Sequence, residues 1–173
     1  MKGIILYSSK YGATKRYANW LAEETGFDCI QTNKAKVEDV RKYDTILLGG
    51  GIYASAIAGL TFLKKHISQL QGKKIIVFCD GASPYEEKAF RQVVSHNMKD
   101  SLAGLPCFYC RGVVDLGSMT FVDRCLCRML QKAIAKKNPE DYEALEKALM
   151  EAGTQRCDWT DKAYIAPILE AIR

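Results

Sequence analysis

Ile5-Leu6-Tyr7-Ser8-Ser9-Lys10-Tyr11-Gly12-Ala13-Thr14 decides how this chain is read. The apolar run from Gly3 to Ser8 is of strand type, and a helical pattern follows it from about Ala13 to Thr25. Between them lies a turn rich in hydroxyls. Two serines and a threonine offer donors, and Gly12 lets backbone N–H groups come close to a ligand. The following helix start adds a partial positive charge, so the turn suits a phosphate monoester. A plain Ser/Thr helix cap would use the same residues, and both readings stay open on the turn alone.

Outward from this unit the alternation continues. A weaker strand spans Phe27 to Gln31, and a buried one, Thr45 to Leu48, ends in Gly49-Gly50-Gly51. A helix from about Ala58 to Leu70 precedes the strand Lys74 to Cys79. Pro84 then opens a helix to about Met98, and Pro106 to Val114 reads as the fifth strand. Strands that are apolar throughout and separated by helices predict a parallel sheet covered on both faces. After Val114 come helical patterns at Met119–Lys137, Pro139–Ala152 and Thr160–Ile172. The expected architecture is therefore an α/β doubly wound five-stranded parallel sheet in a single domain over 1–173, with a helical elaboration at about 115–156.

In such a sheet, ligands bind beyond the carboxyl ends of the strands, at the point where strand order switches. Several phosphate-binding classes are disfavoured there. The first turn lacks G-x-G-x-x-G, and the second strand does not end in an acid to hold a ribose, which argues against NAD. It also lacks G-x-x-x-x-G-K-[ST], acidic residues that would hold Mg²⁺ in a receiver domain, and a cysteine nucleophile.

The stretch Ile5–Thr14, continuing through Ala18 to Leu21, resembles the FMN-phosphate signature of the flavodoxin family. The resemblance implies a flavodoxin-like fold with FMN bound non-covalently. Ser9, Lys10, Tyr11, Gly12, Ala13 and Thr14 would wrap the phosphate. The second loop places Gly50, Gly51, Ile52, Tyr53 and Ala54 against the flavin, with Tyr53 a candidate to stack on the ring. The third, Asp80, Gly81 and Ala82, would contact the ring edge. Ser83 as a helix cap with Pro84 at the first helical position is an equally good reading of that third loop.

Composition narrows the class further. The 173 residues are 48% hydrophobic and carry a net charge of +5, with seven cysteines. The first residues form no charged leader and no apolar stretch is long enough to span a bilayer, which predicts a mature cytosolic chain. The odd cysteine count fits reduced thiols. Cys107 and Cys110 are expected on opposite faces of a strand, and Cys125 and Cys127 on different faces of a helix, so neither pair is placed to hold a metal. No basic block is interleaved with aromatics, which disfavours nucleic acid. His66 and His96 read as helix-surface residues. No catalytic acid or base is named.

Arg111-Gly112-Val113-Val114-Asp115, Phe121-Val122-Asp123-Arg124 and Asp158-Trp159-Thr160-Asp161 resemble a narrower group, the flavodoxin-like menaquinone-dependent protoporphyrinogen oxidases. That resemblance implies an FMN-dependent oxidoreductase passing electrons from a reduced substrate through FMN to a quinone or another acceptor. The alternative is an electron-transfer flavodoxin serving a protein redox partner, and a third is a regulatory domain that has lost FMN. The helix within 119–137 aligns Val122, Leu126, Met129, Leu130 and Ala133 in one apolar stripe, with Arg124, Arg128, Lys132 and Lys136 basic. Such a helix can lie on an anionic membrane at the inner face, or pack its stripe on the sheet.

Overall fold

The computed structural model of the protein describes residues 2–173. In chain order the elements are β1 (Gly3–Ser8), α1 (Ala13–Thr25), β2 (Asp28–Gln31), α2 (Val37–Val40), β3 (Thr45–Tyr53), β4 (Ala56–Ile57), α3 (Leu60–His66), β5 (Lys74–Gly81), α4 (Glu87–Asn97), β6 (Cys107–Arg111), β7 (Val113–Asp115), α5 (Phe121–Ile134), α6 (Ala144–Ala152), β8 (Arg156–Asp158) and α7 (Ala166–Ile172). The main sheet runs β2-β1-β3-β5-β6, all parallel, with β4 hairpinned onto β3. The fold is the expected doubly wound α/β sheet, and the switch in strand order falls between β1 and β3.

The continuous apolar runs follow from burial on both faces. Ile4 and Leu6 join Ile46, Leu48 and Val77 in one core, while Ile5 and Tyr7 join Leu47, Ile76 and Phe78 in the other. Successive side chains of a strand point to opposite sides, so neither parity can be polar. Each such side chain taken out of water stabilises the fold by about 1.5–3 kcal/mol. Cys107 packs against the first core and Cys110 lies in the second, so the two thiols face opposite ways as their spacing predicts.

Three boundaries differ from expectation. The strand β3 does not stop at Leu48 but runs through the triple glycine, pairing Gly49, Gly50 and Gly51 with Phe78, Cys79 and Asp80. Glycine is needed there for close approach: a Cβ on Gly49 would lie 2.1 Å from the Phe78 ring, and one on Gly50 would lie 2.0 Å from the Ala58 carbonyl oxygen. The segment Pro106–Val114 is two strands, not one, broken at Gly112. The second of them, β7, leaves the main sheet to pair antiparallel with β8, a strand the sequence reading had left unassigned. Finally, α4 begins at Glu87, so Ser83 is not its cap and Pro84 is not its first residue.

The elaboration holds β7, β8, α5 and α6 around a small core of Val114, Leu116, Ile134, Leu149 and Ala152. A capping box of Glu143 and Glu146 starts α6, and Gln131 of α5 donates to the carbonyls of Leu149 and Gly153 at 2.9 and 2.8 Å. The apolar stripe of α5 does not pack on the sheet. Phe121, Val122, Leu126, Met129 and Leu130 are 43–79% exposed, and only Ile134 is buried. Arg124 is turned inward onto the carbonyls of Gly117 and Met119, so the buried side of α5 is its polar and cysteine-bearing side.

Candidate cofactor-binding site

The loops after β1, β3 and β5 emerge side by side at the carboxyl end of the sheet, flanking the switch point. The first, Ser9 to Thr14, is shaped by Gly12, whose φ of 96° lies in the left-handed region that side-chain-bearing residues avoid. Gly12 donates its N–H to the Ser9 hydroxyl at 3.1 Å, closing the turn. The N–H groups of Ala13 and Thr14 fall in the first helical turn, where no carbonyl four residues back exists within the helix. They are donors for an anion.

Beneath this loop Thr14 donates its hydroxyl to Asp80 at 2.5 Å. The pair is buried, with Thr14 1% and Asp80 8% exposed. Burial pushes the Asp80 carboxyl up to about 6 against the opposing effect of the Thr14 hydrogen bond. Gly112 closes over the other carboxylate oxygen: a Cβ there would lie 2.9 Å from it.

Above the loop the side chains of Lys10 and Tyr11 turn towards the elaboration. Both donate to the Asp123 carboxylate in the first turn of α5. These hydrogen bonds, from Lys10 and then Tyr11, hold the Asp123 carboxyl below its ordinary range, and Asp123 raises the Lys10 ammonium in return. The backbone of Lys10 and Tyr11 stays in the loop, but their polar ends are taken. Asp123 carried no assignment in the sequence reading, because nothing within the chain order of α5 announces a partner at the far end of the protein.

The second loop is a tight hairpin from β3 to β4, with Ala54 and Ser55 both at positive φ, 46° and 66°. That pair of left-handed residues matches the twist of a two-residue hairpin, at a conformational cost because neither is glycine. Asn97, at the end of α4, braces the strained turn: its carbonyl oxygen accepts from Ile57 N–H at 2.9 Å, and its amide donates to the Ser55 carbonyl at 2.7 Å. Tyr53 folds back beside Gly51, with its ring edge-on to Tyr11 at 6.3 Å between centroids and Lys10 over it at 5.8 Å. Burial raises its phenol to about 12. The first and second loops are therefore in contact, as a shared ligand requires.

The third loop is pinned from β6. Tyr109 donates its hydroxyl to the Ser83 carbonyl at 2.6 Å, and Arg111 donates from Nε to the Ala82 carbonyl at 3.2 Å. The Arg111 guanidinium lies 4.3 Å over the Trp159 ring. A cavity of about 1190 Å³ opens beside the second and third loops, lined in part by Ile52, Ala54, Gly81, Ala82, Tyr109 and Arg111, and also by Tyr142 and Leu145 of the elaboration. Tyr109 has no sequence signal beyond an apolar run, and Arg111 enters the sequence reading only as part of the narrower family resemblance, with no place in the site. His66 lies outside this cluster on α3, whereas His96, on the surface of α4 as read, lines the cavity.

Residues 4–142 match the model of the flavodoxin domain. The chain belongs to the flavodoxin-domain family. Among solved structures, the two-electron reduced flavodoxin of Megasphaera elsdenii is 21% identical, with 62% of this chain and 82% of that chain covered and a TM-score of 0.44. Flavodoxin 1 of Bacillus cereus is 15% identical over 89% and 96%, with a TM-score of 0.42. A flavoprotein of Lactobacillus acidophilus, solved in complex with FMN, is 18% identical over 64% and 91%, with a TM-score of 0.41. No curated protein matches the chain.

The cofactor of a flavodoxin domain is FMN, and the residues present fit it. The helix-start donors, the left-handed Gly12 and the side-chain-free backbone at Gly50 and Gly51 meet the demands of a phosphate and of a flat ring. Among the described residues no cluster of His, Cys, Asp and Glu is placed to hold a metal.

Proposed function

We propose that the protein is an FMN-dependent oxidoreductase that acts on a small reduced organic substrate and passes the electrons to a quinone, in the manner of the protoporphyrinogen oxidases it resembles. The observation that carries the enzymatic reading is the cavity. A carrier serving a protein partner needs only an exposed flavin edge, whereas a cleft of substrate size beside the ring loops, built partly by the elaboration, serves a small molecule. When bound, FMN supplies the electron chemistry.

In this reading the chain's own residues bind and orient. Ser9 through Thr14 hold the phosphate, Gly50 through Ala54 carry the ring, and Gly81 and Ala82 lie at its edge, while Asp80, expected at that edge, is buried beneath the phosphate loop on Thr14. Tyr109 and Arg111 fix the third loop against the cavity wall. The exposed face of α5, with Phe121, Leu126 and Met129 beside Arg128 and Lys132, supports a peripheral seat at an anionic membrane on the cytoplasmic side, where quinone is available. No helix among the described residues is long and apolar enough to cross a membrane.

The test is turnover. Purified protein loaded with FMN is mixed anaerobically with protoporphyrinogen and a menaquinone analogue. Stoichiometric formation of porphyrin and quinol supports the proposal. Reduction by a flavodoxin reductase in resolved one-electron steps, with no turnover of any small molecule, would instead make it an electron carrier.

A further inference from the structure

Asp80 presents an unusual problem for a site that takes a phosphate. Its carboxyl is buried directly under the first loop, one hydrogen bond from Thr14, and among the described residues no lysine or arginine forms an ion pair with it. The lysine of that loop, Lys10, is already paired with Asp123. The groups that face Asp80 from the surrounding elements are Tyr17 of α1, Tyr53 of β3, Cys79 of its own strand, and Tyr109 and Cys110 of β6. All five are held neutral: burial suppresses the acidity of Tyr17, Tyr53, Tyr109 and Cys110, the hydrogen bond with Cys107 and then burial that of Cys79, and Asp80 adds to each. A phosphate dianion arriving at this loop therefore meets a desolvated carboxylate with no cation between them. Two like charges in one desolvated site cannot both stay ionised cheaply, and one of them takes a proton.

We propose that binding of the FMN phosphate at the first loop is linked to the uptake of one proton by Asp80, which makes Asp80 the residue that sets the pH dependence of cofactor loading. The bookkeeping of the hydroxyl agrees. Thr14 has one hydrogen to donate, and the Asp80 carboxylate holds it. A proton from solvent placed on Asp80 reverses that bond: Asp80 then donates to the Thr14 oxygen, and the Thr14 hydrogen is freed for a phosphate oxygen. No other bond forms or breaks. Asp80 is thus a positioning residue for Thr14, and because burial raises it only to about 6 it begins neutral pH mostly ionised.

The inference rests on the phosphate sitting at residues 9–14, and the experiment separates the two. Affinities of apoprotein for FMN and for riboflavin are measured by flavin fluorescence quenching between pH 6.5 and 8.5, where the free phosphate is already largely dianionic. Wild-type affinity for FMN is expected to fall about tenfold from pH 7 to pH 8, the slope of one linked proton. Riboflavin affinity is expected to stay flat. Asp80→Asn should flatten the FMN profile to within about twofold and bind FMN more tightly than wild type at pH 8. Calorimetry of the wild type in buffers of different ionisation enthalpy should register close to one proton taken up per FMN at pH 7.5, a readout that needs no variant. A flat FMN profile with affinity still well above riboflavin would overturn the proton linkage alone. FMN binding no tighter than riboflavin would overturn the placement of the phosphate, and the linkage with it.

Discussion

Lys10 of the phosphate-type loop and Asp123 of α5 form an ion pair across 113 positions of sequence. Tyr11 shares the same carboxylate. The elaboration is therefore fastened to the cofactor loop by its first helical turn, where Thr120 caps the helix by accepting from the Asp123 N–H at 3.3 Å.

Removing that latch changes the charge at the loop. In Asp123→Ala, Lys10 and Tyr11 are released towards the phosphate, and the net charge there rises by one. FMN affinity is expected to rise roughly threefold to tenfold at low salt and to lose most of that gain at high ionic strength. Limited proteolysis between residues 117 and 124 should accelerate at the same time. Fluorescence titration in two salt concentrations measures the first effect, and gel analysis the second.

Thr14→Val keeps the volume and removes the hydroxyl. A hydrogen bond to a charged group contributes about 1.5–3 kcal/mol, so FMN binding should weaken by roughly 10- to 100-fold while riboflavin binding changes little. Equal losses for both ligands would mean that the loop has been disordered rather than deprived of a donor.

Asp80 also makes the apoprotein's stability depend on pH. Its folded value of about 6 lies above the ordinary carboxyl value of 3.8. The protonated form is the one the fold prefers, so its contribution is fully present below about pH 4 and is lost as pH rises through 6. The loss is on the order of 2–3 kcal/mol. Denaturant unfolding of apoprotein at pH 8 should show Asp80→Asn more stable than wild type by about that amount, and the advantage should shrink towards pH 5.

Gly50→Ala tests why the triple glycine exists. The added Cβ would meet the Ala58 carbonyl oxygen at 2.0 Å, and backbone cannot step aside as a side-chain tip can. A loss of at least about 2 kcal/mol of stability is expected, read by thermal or urea unfolding. A neutral result would show that the hairpin from β3 to β4 shifts freely.

Exposed apolar side chains on α5 predict behaviour at a surface. The double variant Leu126→Glu, Met129→Glu should abolish cosedimentation with anionic phospholipid vesicles and leave FMN affinity and thermal stability unchanged, because both side chains are more than half exposed. Wild-type protein that ignores such vesicles would contradict the membrane seat.

Most of the sheet was legible from the chain, because strands buried on both faces leave no room for a polar residue. The runs Ile4–Tyr7 and Ile46–Leu48 show this plainly. The triple glycine misled for a physical reason: glycine marks close approach as often as it marks an end, and only the position of Phe78 and Ala58 tells which. The break at Gly112 and the short β8 depend on each other, and neither has a periodic signal of its own. In the site, local chemistry pointed to residues 9–14, whereas Asp123, Asn97, Tyr109 and Arg111 act across long sequence distances. The stripe on α5 was readable as amphipathic, but which side faces water is set by α6 and the small core beneath it.

The central claim is that the three strand-end loops form one FMN site. Its most direct test is a titration of apoprotein with FMN, followed by the visible spectrum after gel filtration. The account predicts a yellow protein with one FMN per chain, retained through filtration and lost in large part on Thr14→Val. A colourless protein after reconstitution, with no quenching of FMN fluorescence at any pH from 5.5 to 8.5, would contradict it.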